Sequence, residues 1–159
     1  FLSRMSEILS LASNMSSPDR QNVGEIGENL AARFLLKNGY RLVLANFKVP
    51  VGRNRRGATV TGEIDLIALD ENVLCFVEVK TRTSDEYASP LAAVDLRKQR
   101  QIIRAAKVYR KTFQINRTSF RYDAVSVVLR ENRRPEIELF KNFWTEEKFR
   151  KKTWFERIW

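Results

Sequence analysis

The apolar positions change period several times along the chain, and each change predicts an element. In VGEIGENLAARFLLKN (23–38), Ile26, Leu30 and Phe34 recur at helical spacing, and Gly39 follows as a stop signal. YRLVLANF (40–47) reads as a strand. The next stretch, KVPVGRNRRGATVT (48–61), carries Pro, glycines and clustered cations, which predict a loop. GEIDLIALD (62–70) and VLCFVEVK (73–80) are two apolar strands; 84–93 is a loop and 94–113 a second long helix. RYDAVSVVL (121–129) predicts another strand and EIELF (136–140) a short one. The order helix, three strands, helix, strand implies an α/β domain with a mixed central sheet flanked by helices.

The two runs at 62–70 and 73–80 carry acids where a core strand has little use for them. A hairpin turning at Glu71-Asn72 sets Ile67 opposite Phe76, Leu69 opposite Leu74, Asp65 opposite Glu78 and Glu63 opposite Lys80. The other face then holds Ile64, Leu66, Ala68, Cys75, Val77 and Val79. Both faces are mostly apolar, as in interior strands covered on both sides. Opposed carboxylates repel, and burial raises the cost, so a positive charge belongs between them. Lys80 shares their face and supplies part of it. A hard divalent cation supplies more, because Mg²⁺ is often held by one or two carboxylates together with carbonyl, water and phosphate oxygens. Asp65 and Glu78 suit that role, with the Val79 carbonyl as a third ligand. Lys80 then stands where it could stabilise a pentavalent phosphate or activate water. The competing reading is the salt-bridged polar end of an ordinary hairpin, and the spacing leaves both open.

Charge narrows the partner. The 159 residues carry a net charge of +10, which favours a polyanion such as nucleic acid, although a membrane surface would also attract it. From Arg97 through Arg121 there are nine basic residues and no acid. Arg97, Arg100, Arg104, Lys107 and Lys111 form one stripe of the second helix, opposite an apolar stripe of Ile102, Ala106, Tyr109 and Phe113. Like charges at these spacings destabilise a helix, and a surface needing only solubility would mix signs. An anionic backbone is therefore the expected partner of this stripe and of Arg53, Arg55 and Arg56 in the first loop. Gln99 shares a face with Ile102 and Ile103 and should point inward, either to Lys80, Glu78 or a phosphate, or to backbone.

The chain has no histidine and a single cysteine. That excludes Ser-His-Asp and Cys-His chemistry, imidazole-based zinc sites and an internal disulfide, and it fits a reducing, cytoplasmic setting. No apolar run approaches the roughly 20 residues of a membrane span. Residues 1–22 read as a short amphipathic extension and linker, with Leu2, Met5, Ile8, Leu9 and Ala12 at helical spacing, and not as a secretory signal. The basic, aromatic stretch at 141–159 reads as a second extension, packed on the domain, on a second copy or on a protein partner. Stacking of its aromatics on single-stranded nucleic acid is the weaker alternative.

Asp65 followed by Glu78-Val79-Lys80 in the next strand resembles the PD-(D/E)XK nuclease motif. GEIGENLAARFLLKNGY, GEIDLIALD, FVEVKTRT, the Lys98-Gln99 pair and RYDAVSVV together resemble the YraN-like family over roughly residues 23–130. The resemblance implies a restriction endonuclease-like core (αβββαβ) over 23–140 and a Mg²⁺- or Mn²⁺-dependent endonuclease acting on DNA rather than RNA. It also implies Glu28 as a water-mediated metal ligand or general base, with Glu25 the rival on the same helix. Gln99 would complete the site, and Lys98 would join the cations on the backbone. Arg121 and Asp123 match the family pattern but read as a structural ion pair, and Cys75 as a core residue. A non-catalytic nucleic-acid-binding or scaffold protein with the same fold is the alternative, because a fold does not establish an activity.

Overall fold

The computed structural model describes residues 20–83 and 94–150. Helix α1 (Arg20–Lys37) precedes strands β1 (Arg41–Arg53), β2 (Thr59–Asp70) and β3 (Val73–Thr83). Helix α2 (Leu96–Thr112), β4 (Phe120–Leu129) and β5 (Glu136–Trp144) follow, and the 3₁₀ turn Glu147–Phe149 closes the described chain. The five strands make one sheet in sequence order, antiparallel except for the parallel pair β3–β4. The passage through α2 supplies the long crossover that a parallel pair requires. Among the described residues no helix is long and apolar enough to cross a membrane.

Both faces of the sheet are covered, as the apolar alternation of β2 and β3 requires. On one face α2 buries Ile102, Ile103, Ala105, Ala106 and Tyr109 against Ile67, Leu74 and Phe76. On the other, α1 buries Ala31 and Leu35 against Leu66, Ala68, Cys75 and Val77. Cys75 is a core residue whose thiol burial pushes up to about 12.

Several sequence expectations are corrected. The loop expected at 48–61 is mostly strand, and only 54–58 turns between β1 and β2. Pro50 is tolerated because β1 is an edge strand, and the pairing slips between Pro50 and Gly52. The buried line of α1 is Gly27, Ala31 and Leu35, while Ile26, Leu30 and Phe34 flank it. Phe113 lies just past the end of α2, exposed and set against Tyr109 with ring centroids 4.6 Å apart. In the carboxy-terminal stretch, Trp144 ends β5 in the core, stacked on Tyr122, and Phe143 and Phe149 pack beside it. Trp154, Phe155, Ile158 and Trp159 lie outside the described residues.

Small residues set how closely the helices approach. A Cβ on Gly62 of β2 would lie 2.7 Å from Val51 Cγ1 and 3.0 Å from the Gln101 carbonyl oxygen of α2. A Cβ on Gly27 of α1 would lie 2.7 Å from Thr81 Cβ of β3, and closer still to Thr81 Oγ1. Gly27→Ala should therefore lift α1 off the sheet and cost about 2 kcal/mol or more, read as a lower urea midpoint. An unchanged midpoint would mean that α1 is free to shift outward.

Candidate functional site

The β2–β3 hairpin turns at Glu71, which takes the left-handed conformation (φ 53°). Its register runs from Asp70–Val73 to Leu66–Val77, with Ile67 opposite Phe76 and Leu69 opposite Leu74. This is the pairing expected from a turn at Glu71-Asn72. The ladder then stops short of Asp65, and the expected direct pairs Asp65–Glu78 and Glu63–Lys80 are absent from it. Instead Asp65 Oδ2 accepts the Val79 N–H at 2.7 Å. A side-chain carboxylate has taken a main-chain acceptor's role, so the strands part where the acids begin. Face alternation breaks with it: Ile64, expected beside Leu66, packs with Ile67 on the α2 face. In β1, Asn46 stands beside this irregularity, between Ala45 and Phe47 that pair with Leu66 and Ile64, and has φ 53°.

The parted strands hold Asp65 (6% exposed) and Glu78 (1%) together below the surface. Burial first, and the Glu78 charge second, push the Asp65 carboxyl up to about 8, against the Val79 N–H and the Lys98 charge. Lys80 Nζ lies 2.9 Å from Glu78 Oε1. Glu63, which was expected opposite Lys80, pairs instead with Lys48 of β1 at 3.1 Å.

Lys98 lies nearer the acids than its place in the sequence suggests. Expected among the backbone-binding cations, it lies 3.3 Å from Glu78 Oε2. Asp95 caps α2, accepting the Lys98 N–H at 2.7 Å, and so sets the first turn of the helix beside the hairpin. Burial pulls the Lys98 pKa down, but Glu78 and Asp65 outweigh it and hold it raised. The sequence carries a signal for this, since an inward-facing Gln99 leaves its neighbour near the sheet. Gln99 is indeed buried, yet its Nε2 donates to the Val94 carbonyl at 2.8 Å and not to Glu78, while its Oε1 has no hydrogen-bond partner. Nothing places Gln99 against Lys80.

Glu28 is half-buried on α1. Burial, then the charges of Glu63 and Glu78, raise its pKa, opposed by an Asn46 hydrogen bond and by Lys48. It feels the same acids as the hairpin site, whereas Glu25 is exposed one turn earlier. The two glutamates and Asn46 line a cavity of about 420 Å³ between α1 and β1.

The cations Arg97, Arg100, Arg104, Lys107 and Lys111 are all exposed, as the stripe predicts. Arg100 sits over the Phe149 ring at 5.1 Å, and Lys107 pairs with Glu146 at 3.3 Å. At the β1–β2 tip, Asn54 Oδ1 accepts the N–H groups of Arg56 (2.9 Å) and Ala58 (3.0 Å), and Arg53 donates to the Gly57 carbonyl. Arg55 and Arg56 are exposed there. Because Gly62 packs on Gln101 and Ala105, the tip extends from the same part of α2 that carries Arg97 to Arg104.

Among the described residues, no three His, Cys, Asp or Glu side chains gather closely enough to form a metal cage. A cation here would rest on two carboxylates plus backbone and water oxygens, a donor set suited to Mg²⁺ or Mn²⁺. Glu78 Oε2 fits that use, being buried without a hydrogen bond.

A family profile described as "Uncharacterised protein family UPF0102" matches residues 27–127. A UPF0102 protein of Caldanaerobacter subterraneus subsp. tengcongensis is 40% identical over 115 residues, covering 72% of this chain and 86% of that protein. One from Desulfosudis oleivorans is 42% identical over 123 residues, covering 77% and 89%. The crystal structure of SSO0001 aligns with 92% of this chain and 64% of its own, at 16% identity and a TM-score of 0.37.

Proposed function

This chain belongs to the UPF0102 family, and from its own geometry we propose a metal-dependent phosphodiesterase that acts on DNA. One observation carries the reading: β2 and β3 part at Asp65, and the gap holds two buried carboxylates against Lys80. A hairpin built only to fill a core has no reason to bury repelling acids. The element order and the placing of the acids and lysine on β2 and β3 support a restriction endonuclease-like core as part of this reading.

Asp65, Glu78 and the Val79 carbonyl would hold a Mg²⁺ or Mn²⁺ ion, with Glu28 reaching it through water. Bound there, the ion supplies Lewis acidity toward a phosphate oxygen and lowers the pKa of water. The chain's residues do the rest. Lys80, 2.9 Å from Glu78 Oε1, holds its ammonium where it can donate hydrogen bonds to the attacked phosphate and stabilise the negative charge that builds there. The exposed cations of α2 and of the Arg55-Arg56 tip hold the backbone, without reading bases.

Cleavage of single-stranded, duplex and branched DNA with Mg²⁺ or Mn²⁺ tests the proposal. Lys80→Ala should cut about a hundredfold more slowly while binding DNA nearly as well. Cleavage that persists in this variant sinks the site. The second reading, a non-catalytic DNA-binding scaffold, draws on Lys80 and Lys98 already neutralising Glu78. Salt-sensitive binding with no cleavage on any substrate would favour it.

A further inference from the structure

Glu78 meets two lysines at different distances. Its Oε1 lies 2.9 Å from Lys80 Nζ, whereas its Oε2 faces Lys98 Nζ at 3.3 Å and makes no hydrogen bond. The Lys98 contact is the longer of the two, and a longer ion contact exchanges more readily. Lys98 also differs in origin. Lys80 is fixed on the same strand as Glu78, while Lys98 reaches in from the first turn of α2, beside the exposed Arg97 and Arg100. Its side chain is one-quarter exposed, so an outward path exists.

We propose that Lys98 is an exchangeable counter-ion of Glu78, whose ammonium would leave the carboxylate when a divalent cation is bound and would then take a DNA phosphate. The charge balance favours this exchange. With both carboxylates ionised, as a bound cation requires, the two ammoniums just balance them, so a divalent ion added without displacement would leave the pocket at +2. Releasing one ammonium toward the solvent side removes part of that excess and sends it to a polyanion. Metal and DNA binding are thereby coupled through one side chain, and the coupling must act equally in both directions. The inference rests on the metal-holding part of the proposed function, but not on cleavage.

Mn²⁺ titration of the full chain by calorimetry, with wild type, Lys98→Gln and Lys98→Arg, tests it. Lys98→Gln should bind Mn²⁺ about tenfold more tightly, since a unit positive charge has left the immediate surroundings of the ion. Lys98→Arg keeps the charge and should bind no more tightly than wild type. With Ca²⁺ in place of Mn²⁺, wild-type affinity for a DNA duplex should rise on adding the metal. Lys98→Gln should lose most of that rise, and its salt slope should be smaller by about one. Unchanged or weaker Mn²⁺ binding by Lys98→Gln, with its thermal melt intact, overturns the proposal; so does the absence of Mn²⁺ binding in all three proteins. The tighter binding without any DNA cleavage would uphold the exchange and remove the nuclease reading. Cleavage with an unchanged Mn²⁺ affinity would do the reverse.

Discussion

Asp65→Asn should abolish cleavage, by about a thousandfold or more, and at the same time make the protein more stable. The amide still offers an oxygen to the Val79 N–H, so the parted hairpin keeps its geometry. What it loses is an anionic ligand for a cation, together with the repulsion between two carboxyls that are 6% and 1% exposed. Replacing that repulsion by an amide–carboxylate hydrogen bond should stabilise by about 1 to 2 kcal/mol, a Tm rise of roughly 3 °C or more.

The pH dependence follows with a definite sign. The Asp65 carboxyl moves from 3.8 to about 8, so across that window the folded state holds a proton that the unfolded chain lacks. Its contribution is fully present below about pH 4 and is lost as pH rises toward 8. Asp65→Asn should remove this decline, so the gap in Tm between the variant and wild type should widen from pH 5 to pH 8. Because a bound cation requires the deprotonated carboxylate, Mn²⁺ affinity of the wild type should rise over the same window, with a proton released. Undiminished cleavage by Asp65→Asn would refute the site, and a less stable variant with the wild-type pH slope would refute the repulsion argument.

The second large effect is structural. Asp123 is fully buried, takes Arg121 Nε on both oxygens at 2.9 and 3.0 Å, and accepts the Asn142 N–H at 2.8 Å. That last bond lies where the β4–β5 register slips between Tyr122 and Ala124. Arg121 continues to Asp70 at 2.7 Å and to the Tyr40 hydroxyl at 3.0 Å, and Lys141 also meets Asp70. One network therefore ties the end of β2 to β4, β5 and the start of β1. Hydrogen bonds from Lys141 and Arg121 hold the Asp70 carboxyl down at about 2. Its contribution has the opposite sign to that of Asp65, present above about pH 4 and lost as pH falls toward 2.

Asp123→Ala leaves Arg121 half-compensated and the Asn142 N–H without its acceptor, and should cost about 3 kcal/mol. Asp123→Asn keeps that acceptor and should lose less. Urea unfolding of both variants checks the ordering; a loss below about 1 kcal/mol for Asp123→Ala would mean that the network behaves as a surface pair. The sequence reading of Arg121 and Asp123 as an ion pair agrees with this geometry, but nothing in their spacing revealed Asp70, Tyr40 or Lys141 as partners.

Local periodicity carried much of the fold. The order of elements, the two covered faces of the β2–β3 hairpin and its register all follow from side-chain alternation and the Glu71-Asn72 turn, which involve residues close in sequence. The exposed basic stripe of α2 was legible for the same reason. Local pattern failed where a residue answers to something distant. The 48–61 segment extends as strand because its edge position tolerates Pro50. Gly27, and not the larger apolar residues beside it, lies on the buried line of α1 because Thr81 leaves no room for a Cβ.

At the site the division is sharper. Alternation alone brought Asp65, Glu78 and Lys80 to one end of the hairpin and implied that their charges needed compensation. Only the tertiary structure decided how: Asp65 takes the Val79 N–H and parts the strands, and Lys98 arrives from a helix whose first turn is fixed by Asp95. The sequence by itself determined which charges must be balanced, because that depends on composition and strand register. Which cation balances them depends on distances between elements far apart in the chain, and those are set by packing.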